Sequence, residues 1–167
     1  TALHIYDAEG QSVARDVTRI SIATAVVDKA GYRHFMAKEM AEQPTVIKRA
    51  LEHYLDATQS TLTLPQEIDL KNIQRVILVA CGTAYYACHV AKYWFEALAR
   101  VAVDIEIASE FRYRNPVLGP KDLVIAVSQS GETADTLAAV RHVAGQAGQT
   151  IAVVNVPTSS IAREADI

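Results

Sequence analysis

The chain has 167 residues, of which half are apolar and 21% are charged, and its formal net charge is −3. This composition excludes a disordered or collagen-like chain, and the scattered lysine and arginine residues do not indicate a nucleic-acid-binding surface. The longest apolar runs are far shorter than the roughly 20 residues that cross a bilayer, and no secretion signal is recognisable. We therefore expect a folded cytoplasmic protein with no membrane or nucleic-acid partner.

The N-terminal region alternates as strands do. Residues 3–6 and 12–22 carry spaced apolar side chains on either side of the segment 7–10, a turn that begins with Asp and ends with Gly. This pattern predicts a β-hairpin, with a third strand near residues 20–27.

Helical spacing follows the hairpin. Residues 32–40 carry apolar side chains three to four positions apart, and Pro44, which suits the first turn of a helix, is expected to begin a second helix that extends to about residue 57. The polar segment 58–63 predicts a linker or loop.

From residue 75 onwards, predicted strands alternate with predicted helices. The apolar run RVILVA at 75–80 is typical of a strand that is buried on both faces. Further strands are predicted at 101–107, 123–128 and 150–154, and helices at 83–99, 132–147 and 159–164. This order predicts an α/β fold, a parallel sheet with helices on both faces. Trp94 and Phe95, among apolar neighbours in the helix 83–99, are expected to lie in the core.

Two loops at the carboxyl ends of predicted strands form the candidate binding site: 81–83 (CGT) and 128–133 (SQSGET). Ligands of an open parallel sheet bind at this edge, where backbone N–H groups at helix starts point outward. Neither loop has the glycine pattern of a nucleotide-binding motif, so the expected ligand is smaller than a nucleotide.

The hydroxyl groups of these loops suit a phosphate. Ser128, Ser130 and Thr133, with the N-terminus of the following helix, would hold phosphate oxygens without a cation, and Thr83 could add a hydroxyl from the neighbouring loop. The alternative is that Ser130 or Thr133 only caps the helix, with Glu132 complementing its dipole.

The remaining candidates are weaker. Cys81 and Cys88 have the spacing of neither a metal site nor a redox pair and are expected to be packed thiols, so we predict no metal and no cofactor. Arg112 and Arg114 could face an anion or a partner, or solvent.

A family resemblance rests on motifs that occur in the family's order: YRHFMAKEMAEQP at 32–44, CGT at 81–83, KYWFEALA at 92–99, ASEFRYRNP at 108–116, SQSGETADTLAA at 128–139 and NVPTSS at 155–160. Together they resemble the glutamine-dependent glucosamine-6-phosphate synthase family. Its members convert fructose 6-phosphate and glutamine to glucosamine 6-phosphate and glutamate, the first step towards UDP-N-acetylglucosamine, and pair as homodimers.

The resemblance implies a division of the chain into three parts. Residues 1–31 correspond to the end of the glutaminase domain, 32–71 to interdomain helices and a linker, and 72–167 to most of the first sugar isomerase (SIS) domain, a doubly wound, Rossmann-like parallel sheet. The chain is thus expected to be an internal piece of the enzyme.

The resemblance also assigns roles to single positions. The residues that match the family's sugar-phosphate ligands are Thr83, Ser128, Gln129, Ser130 and Thr133. The family's catalytic residues match no position of this chain, since Thr1 is not the glutaminase cysteine and the isomerase residues lie further downstream. The chain alone is therefore expected to bind hexose 6-phosphates, such as fructose 6-phosphate or glucosamine 6-phosphate, and to be inactive. Ala84 stands where many relatives have serine.

Two other hypotheses about the function remain open from the sequence. One is a non-catalytic SIS-type sugar-phosphate sensor module of a regulator, and the other is a phosphosugar isomerase that acts without glutamine. Both would share the serine-rich loop, but neither is expected to share the segment 32–44.

Overall fold

The structure, a computed structural model, describes residues 4–14, 28–56, 61–64 and 68–167. Its contacts divide the chain into two units, Thr1–Leu62 and Thr63–Ile167. Within the described ranges, every helix is too short or too polar to cross a bilayer.

A tight turn joins two extended segments near the start of the first unit. The carbonyl oxygen of Asp7 accepts the N–H of Gly10 at 3.1 Å, and Tyr6 pairs antiparallel with Ser12. Gly10 has a φ of +77°, which glycine adopts without steric cost. The turn and this antiparallel pair agree with the predicted β-hairpin. Residues 15–22 of its second strand and the strand predicted near residues 20–27 lie outside the described residues.

A single helix, α1 (Phe35–Tyr54), accounts for much of the first unit. The prediction of two helices that meet at Pro44 is wrong, because Pro44 lies inside α1. Proline there lacks the N–H that would bond to Met40, at a cost of about 3 kcal/mol, but the turns on both sides each add cooperative backbone bonds and keep the helix continuous. The chain then forms β1 (Leu55–Asp56), paired antiparallel with β2 (Thr61–Leu62), where the sequence predicted a helix end and a linker.

A four-stranded parallel sheet with the order β4-β3-β5-β6 forms the second unit. Its predicted strands and helices are confirmed in type and order, although the last five residues of the helix predicted at 83–99 form a π-helical turn, and a short helix at 108–111 is additional. The elements are β3 (Arg75–Ala80), α2 (Gly82–Trp94), the π-helical turn (Phe95–Ala99), β4 (Ala102–Ile107), α3 (Ala108–Phe111), β5 (Asp122–Ser128), α4 (Ala134–Val143), β6 (Gln149–Val154) and α5 (Ser160–Glu164).

Helices cover both faces of this sheet. Successive side chains of β3 point to opposite faces, so Ile77 packs with Phe111 of α3 and Val143 of α4, whereas Leu78 packs with Cys88 of α2. Each of these side chains is at most 3% exposed, and burying one of this size contributes about 2 kcal/mol. The continuous apolar run at 75–80 is thus explained, and the doubly wound α/β fold class is confirmed.

An ion pair joins the amino ends of β3 and β5. Arg75 donates from Nε and Nη2 to the two carboxylate oxygens of Asp122 at 3.0 and 2.7 Å, and the Gly119 N–H donates to the same carboxylate at 2.7 Å. Asp122 is only 8% exposed, and the bond from Arg75 lowers the pKa of its carboxyl group below the ordinary value. This pair fixes the two strands at the edge opposite the candidate site.

The outer face of α2 and the π-helical turn is also apolar. Tyr93, Trp94 and Leu98 are 71%, 64% and 82% exposed, whereas Phe95 packs against the core. The core prediction is therefore correct for Phe95 and wrong for Trp94, because helical spacing alone does not tell which of two apolar faces meets the sheet.

Candidate functional site

The two candidate loops emerge side by side from the sheet. β3 and β5 are neighbours in register, with Ala80 opposite Val127, so the segments 81–83 and 128–133 leave the sheet at the same edge. We refer to residues 128–133 as the serine loop. This is the edge at which parallel α/β sheets bind ligands.

Hydroxyl groups hold the serine loop in shape. Ser128, which is 4% exposed, lies with its Oγ 3.0 Å from Thr133 Oγ1 and accepts the N–H of Gly131 at 3.1 Å. Ser130 Oγ accepts the N–H of Glu132 at 3.2 Å. The loop thus forms a compact turn between the end of β5 and the start of α4.

Thr133 occupies the N-cap position of α4, but its side chain does not cap the helix. Within residues 68–167, the side chain of Thr133 makes no hydrogen bond to the helix N–H groups, and it contacts Ser128 instead. Glu132 is also turned away, because its carboxylate accepts the N–H of Ser160. The alternative that Thr133 is a side-chain cap is therefore wrong, and the N–H groups of the first turn of α4 keep their outward direction.

The five predicted ligand positions differ in exposure. Ser128 is buried and Thr133 is half-buried, whereas Gln129 and Ser130 are exposed on the same loop. Thr83 is exposed in the first turn of α2 and, within residues 68–167, makes no hydrogen bond to the serine loop. The structure therefore brings Ser128 and Thr133 into contact and has Thr83 in the first turn of α2, the helix that follows the neighbouring strand β3.

A second segment lies against the serine loop. Residues 155–161, here named the bracing segment, follow β6 at the same edge of the sheet. Its bonds to the loop run from Asn155 N–H to Gln129 O (3.2 Å), from Ile161 N–H to Gly131 O (3.0 Å) and from Ser160 N–H to Glu132 Oε1 (2.7 Å).

Gly131 is where the two segments approach most closely. Its φ is +66°, and a Cβ at this position would lie 2.0 Å from Ser159 Oγ. Ser159 is 2% exposed and caps α5 by accepting the N–H of Ala162 at 3.4 Å. This contact was not predicted from the sequence, where the available signals were a glycine in the loop and a serine before a short helical pattern.

Charges around the loop are already paired. Bonds from the Ser160 N–H and hydroxyl lower the pKa of Glu132, the loop's one charged residue. Arg112 pairs with Asp135 at 2.7 Å, and Arg114 pairs with Glu106. These arginines are thus engaged with carboxylates, and an anion at the serine loop would be held by hydroxyl and N–H donors.

A cleft of about 440 Å³ lies along β3 and β4, and no residue of the serine loop lines it. Its charged groups are paired with one another, Arg75 with Asp104 at 3.4 Å and Arg114 with Glu106. The cleft is therefore a weaker candidate for the binding site than the serine loop, whose hydrogen-bond donors lie together at one edge of the sheet.

Sequence comparisons give close relatives. The chain is 55% identical over 97% of its length to a glutamine–fructose-6-phosphate aminotransferase (isomerizing) of Bradyrhizobium diazoefficiens, and 53% identical over 99% of its length to one of Zymomonas mobilis. It spans 27% of the length of each. The resemblance seen in the motifs is thereby confirmed.

The fold comparison agrees. The structure matches the C-terminal domain of glucosamine-fructose-6-phosphate aminotransferase from Francisella tularensis with a TM-score of 0.77 and 40% identity, over 84% of this chain and 40% of that one. The SIS domain profile matches residues 69–167, which include the whole parallel sheet and both candidate loops. With the sheet, the serine loop and the profile in agreement, the chain belongs to the SIS domain family.

Proposed function

We propose that this chain provides the hexose 6-phosphate-binding loops of a glutamine–fructose-6-phosphate aminotransferase. The observation that carries the proposal is the 55% identity over 97% of the chain, which includes the segment 32–44 upstream of the SIS domain. A sensor module or a glutamine-independent isomerase is not expected to share that segment, and neither alternative is favoured.

The proposed ligand set is Thr83, Ser128, Gln129, Ser130 and Thr133. A sugar phosphate carries up to two negative charges, which neutral hydroxyl and N–H donors can hold at a helix N-terminus, where the helix dipole adds a field of roughly half a charge. The hydrogen-bonded turn of the serine loop and the uncapped start of α4 support this assignment.

The proposed reaction transfers nitrogen from glutamine to fructose 6-phosphate and yields glucosamine 6-phosphate and glutamate. Residues of this chain would fix the phosphate, so that the sugar carbons are held in place for proton transfers by groups beyond this chain. We assign no catalytic residue within the chain and expect it to be inactive alone.

We base the proposed domain organisation on the same relatives. Residues 1–31 would end the glutaminase domain, 32–71 would connect, and 72–167 would form most of the first SIS domain. The proposal includes a cytoplasmic location, which two free cysteines, Cys81 and Cys88, support, because reducing compartments keep thiols free.

Removing the two serine hydroxyls tests the proposal. We expect the double variant Ser128→Ala, Ser130→Ala to bind glucosamine 6-phosphate at least about tenfold more weakly than the unaltered chain, since hydrogen bonds to a charged group contribute about 1.5–3 kcal/mol each. Isothermal titration calorimetry measures the affinity, and Ser12→Ala in the hairpin is the matched control. An affinity unchanged by the double substitution would show that the loop assignment is wrong.

The proposal also includes a homodimer. The apolar outer face of α2, with Tyr93, Trp94 and Leu98 more than half exposed, supports association with a second copy. We expect a concentration-dependent dimer in sedimentation equilibrium and a shift towards monomer in Leu98→Asp, because burying a carboxylate is costly. A monomer at high concentration would contradict this part of the proposal.

A further inference from the structure

Glu132 lies in the serine loop, yet it has no place in the proposed ligand set. Its side chain reaches away from α4 and accepts the N–H of Ser160 at 2.7 Å. Its own N–H is held from the other side by Ser130 Oγ at 3.2 Å. Glu132 therefore connects a proposed phosphate ligand, Ser130, to the bracing segment.

The end of the bracing segment is packed against the core of the second unit. Ser159 and Ile161 are 2% and 0% exposed, and Ile161 packs with Ala126 of β5 and Val140 of α4 in one apolar cluster. The Ile161 N–H also donates to Gly131 O at 3.0 Å. A bond to Ser160 therefore ties the exposed part of the serine loop to the core of the second unit.

A carboxylate beside a phosphate site would ordinarily weaken anion binding by repulsion. Here the charge of Glu132 is directed at the Ser160 N–H and hydroxyl, and these two groups, with the positive charge of Arg163, lower the pKa of the carboxyl group. Arg163 is itself held by the Thr158 carbonyl at 2.9 Å and by Ser160 Oγ at 3.2 Å. The acidic side chain is thus accommodated as a structural acceptor.

We propose that Glu132 is a positioning residue, which through its bond to Ser160 fixes the donors of the serine loop and so raises the affinity for the sugar phosphate. The inference rests on the proposed function of the loop. Donors that are held in place before the ligand arrives lose less conformational freedom on binding, so the affinity depends on the bond even though Glu132 does not touch the ligand.

Both partners of this bond can be removed separately. Glu132→Ala removes the acceptor. Ser160→Pro removes the N–H donor at the first position of α5, where proline is favoured, and Ser159 before it already has the extended φ and ψ of −69° and 165° that proline requires. Glu132→Gln removes the charge but keeps an oxygen that accepts the Ser160 N–H. Arg141→Ala is the matched control, because it removes a contact between α4 and α5, the bonds from Arg141 to Glu164 at 2.6 Å, and leaves the bonds of the serine loop in place.

Calorimetric titration of the full chain with glucosamine 6-phosphate tests the inference. We expect Glu132→Ala and Ser160→Pro each to weaken binding about fivefold to tenfold, their combination to weaken it no further, and Glu132→Gln and Arg141→Ala to stay within about twofold of the unaltered chain. If the serine double variant loses affinity while Glu132→Ala and Ser160→Pro do not, or if Glu132→Gln binds as weakly as Glu132→Ala, the inference is overturned alone. If the unaltered chain does not bind, the proposed function is overturned, and the inference with it.

Discussion

Gly131→Ala is expected to lower the free energy of unfolding by about 3 kcal/mol and to weaken sugar-phosphate binding. The φ of +66° costs a residue with a Cβ about 1–2 kcal/mol, and the new Cβ would lie 2.0 Å from Ser159 Oγ, so the loop or α5 must shift at a cost of about 1–3 kcal/mol more. Urea unfolding followed by circular dichroism measures the first effect, and calorimetry with glucosamine 6-phosphate measures the second.

Gly145→Ala separates the cost of a positive φ from the cost of the steric clash with Ser159. Gly145 also has a positive φ, +70°, but a Cβ there would meet nothing within 4 Å. We expect this variant to lose only about 1 kcal/mol and to keep its affinity. Equal losses at the two positions would mean that the close approach of the serine loop to Ser159 does not exist in solution.

Asp122→Ala is expected to destabilise the chain by about 3 kcal/mol. The substitution leaves the Gly119 N–H unpaired and deprives Arg75 of its bidentate partner at the amino edge of the sheet. Asp104→Ala is the control, since Asp104 contacts the same Arg75 at 3.4 Å but is itself half exposed, and such a pair contributes at most about 1 kcal/mol. Similar urea midpoints for the two variants would contradict the assignment of Asp122 as the main partner of Arg75.

The same carboxylate gives a pH dependence. Because Arg75 lowers the pKa of Asp122 in the folded chain, its contribution to stability is present above the ordinary aspartate pKa and is lost as the pH falls through the lowered one. The unaltered chain should therefore lose stability below about pH 4, and Asp122→Ala should lose less over the same range. Parallel losses in the two proteins would assign the acid sensitivity to other groups.

Much of the second unit was predictable because its strands are buried on both faces. The run 75–80 has few alternatives to a central strand, and the carboxyl edge of a parallel sheet is a general place for ligands, so the position of the serine loop followed from the strand order. Boundaries were less accurate. α4 begins at Ala134 instead of residue 132, because Thr133 keeps an extended backbone with a ψ of 113°.

The missed features depend on contacts that are distant in sequence or on cooperativity. The bond from Ser160 to Glu132 joins residues 28 positions apart, and no local sequence pattern predicts it. At Pro44 the local preference of proline for a helix start was overcome by the helical turns on both sides. Trp94 was misplaced because α2 is apolar on two faces and spacing does not distinguish them.

Amide chemical shifts in the presence of glucosamine 6-phosphate test the central claim, that the serine loop binds the phosphate of a hexose 6-phosphate. In two-dimensional ¹H–¹⁵N spectra of the full chain, we predict that the largest changes fall on residues 129–134 and on Thr83, and that inorganic phosphate moves the same signals less. Changes centred on the cleft along β3 and β4, around Asp104 and Arg114, would contradict the claim, as would the absence of any change at the serine loop.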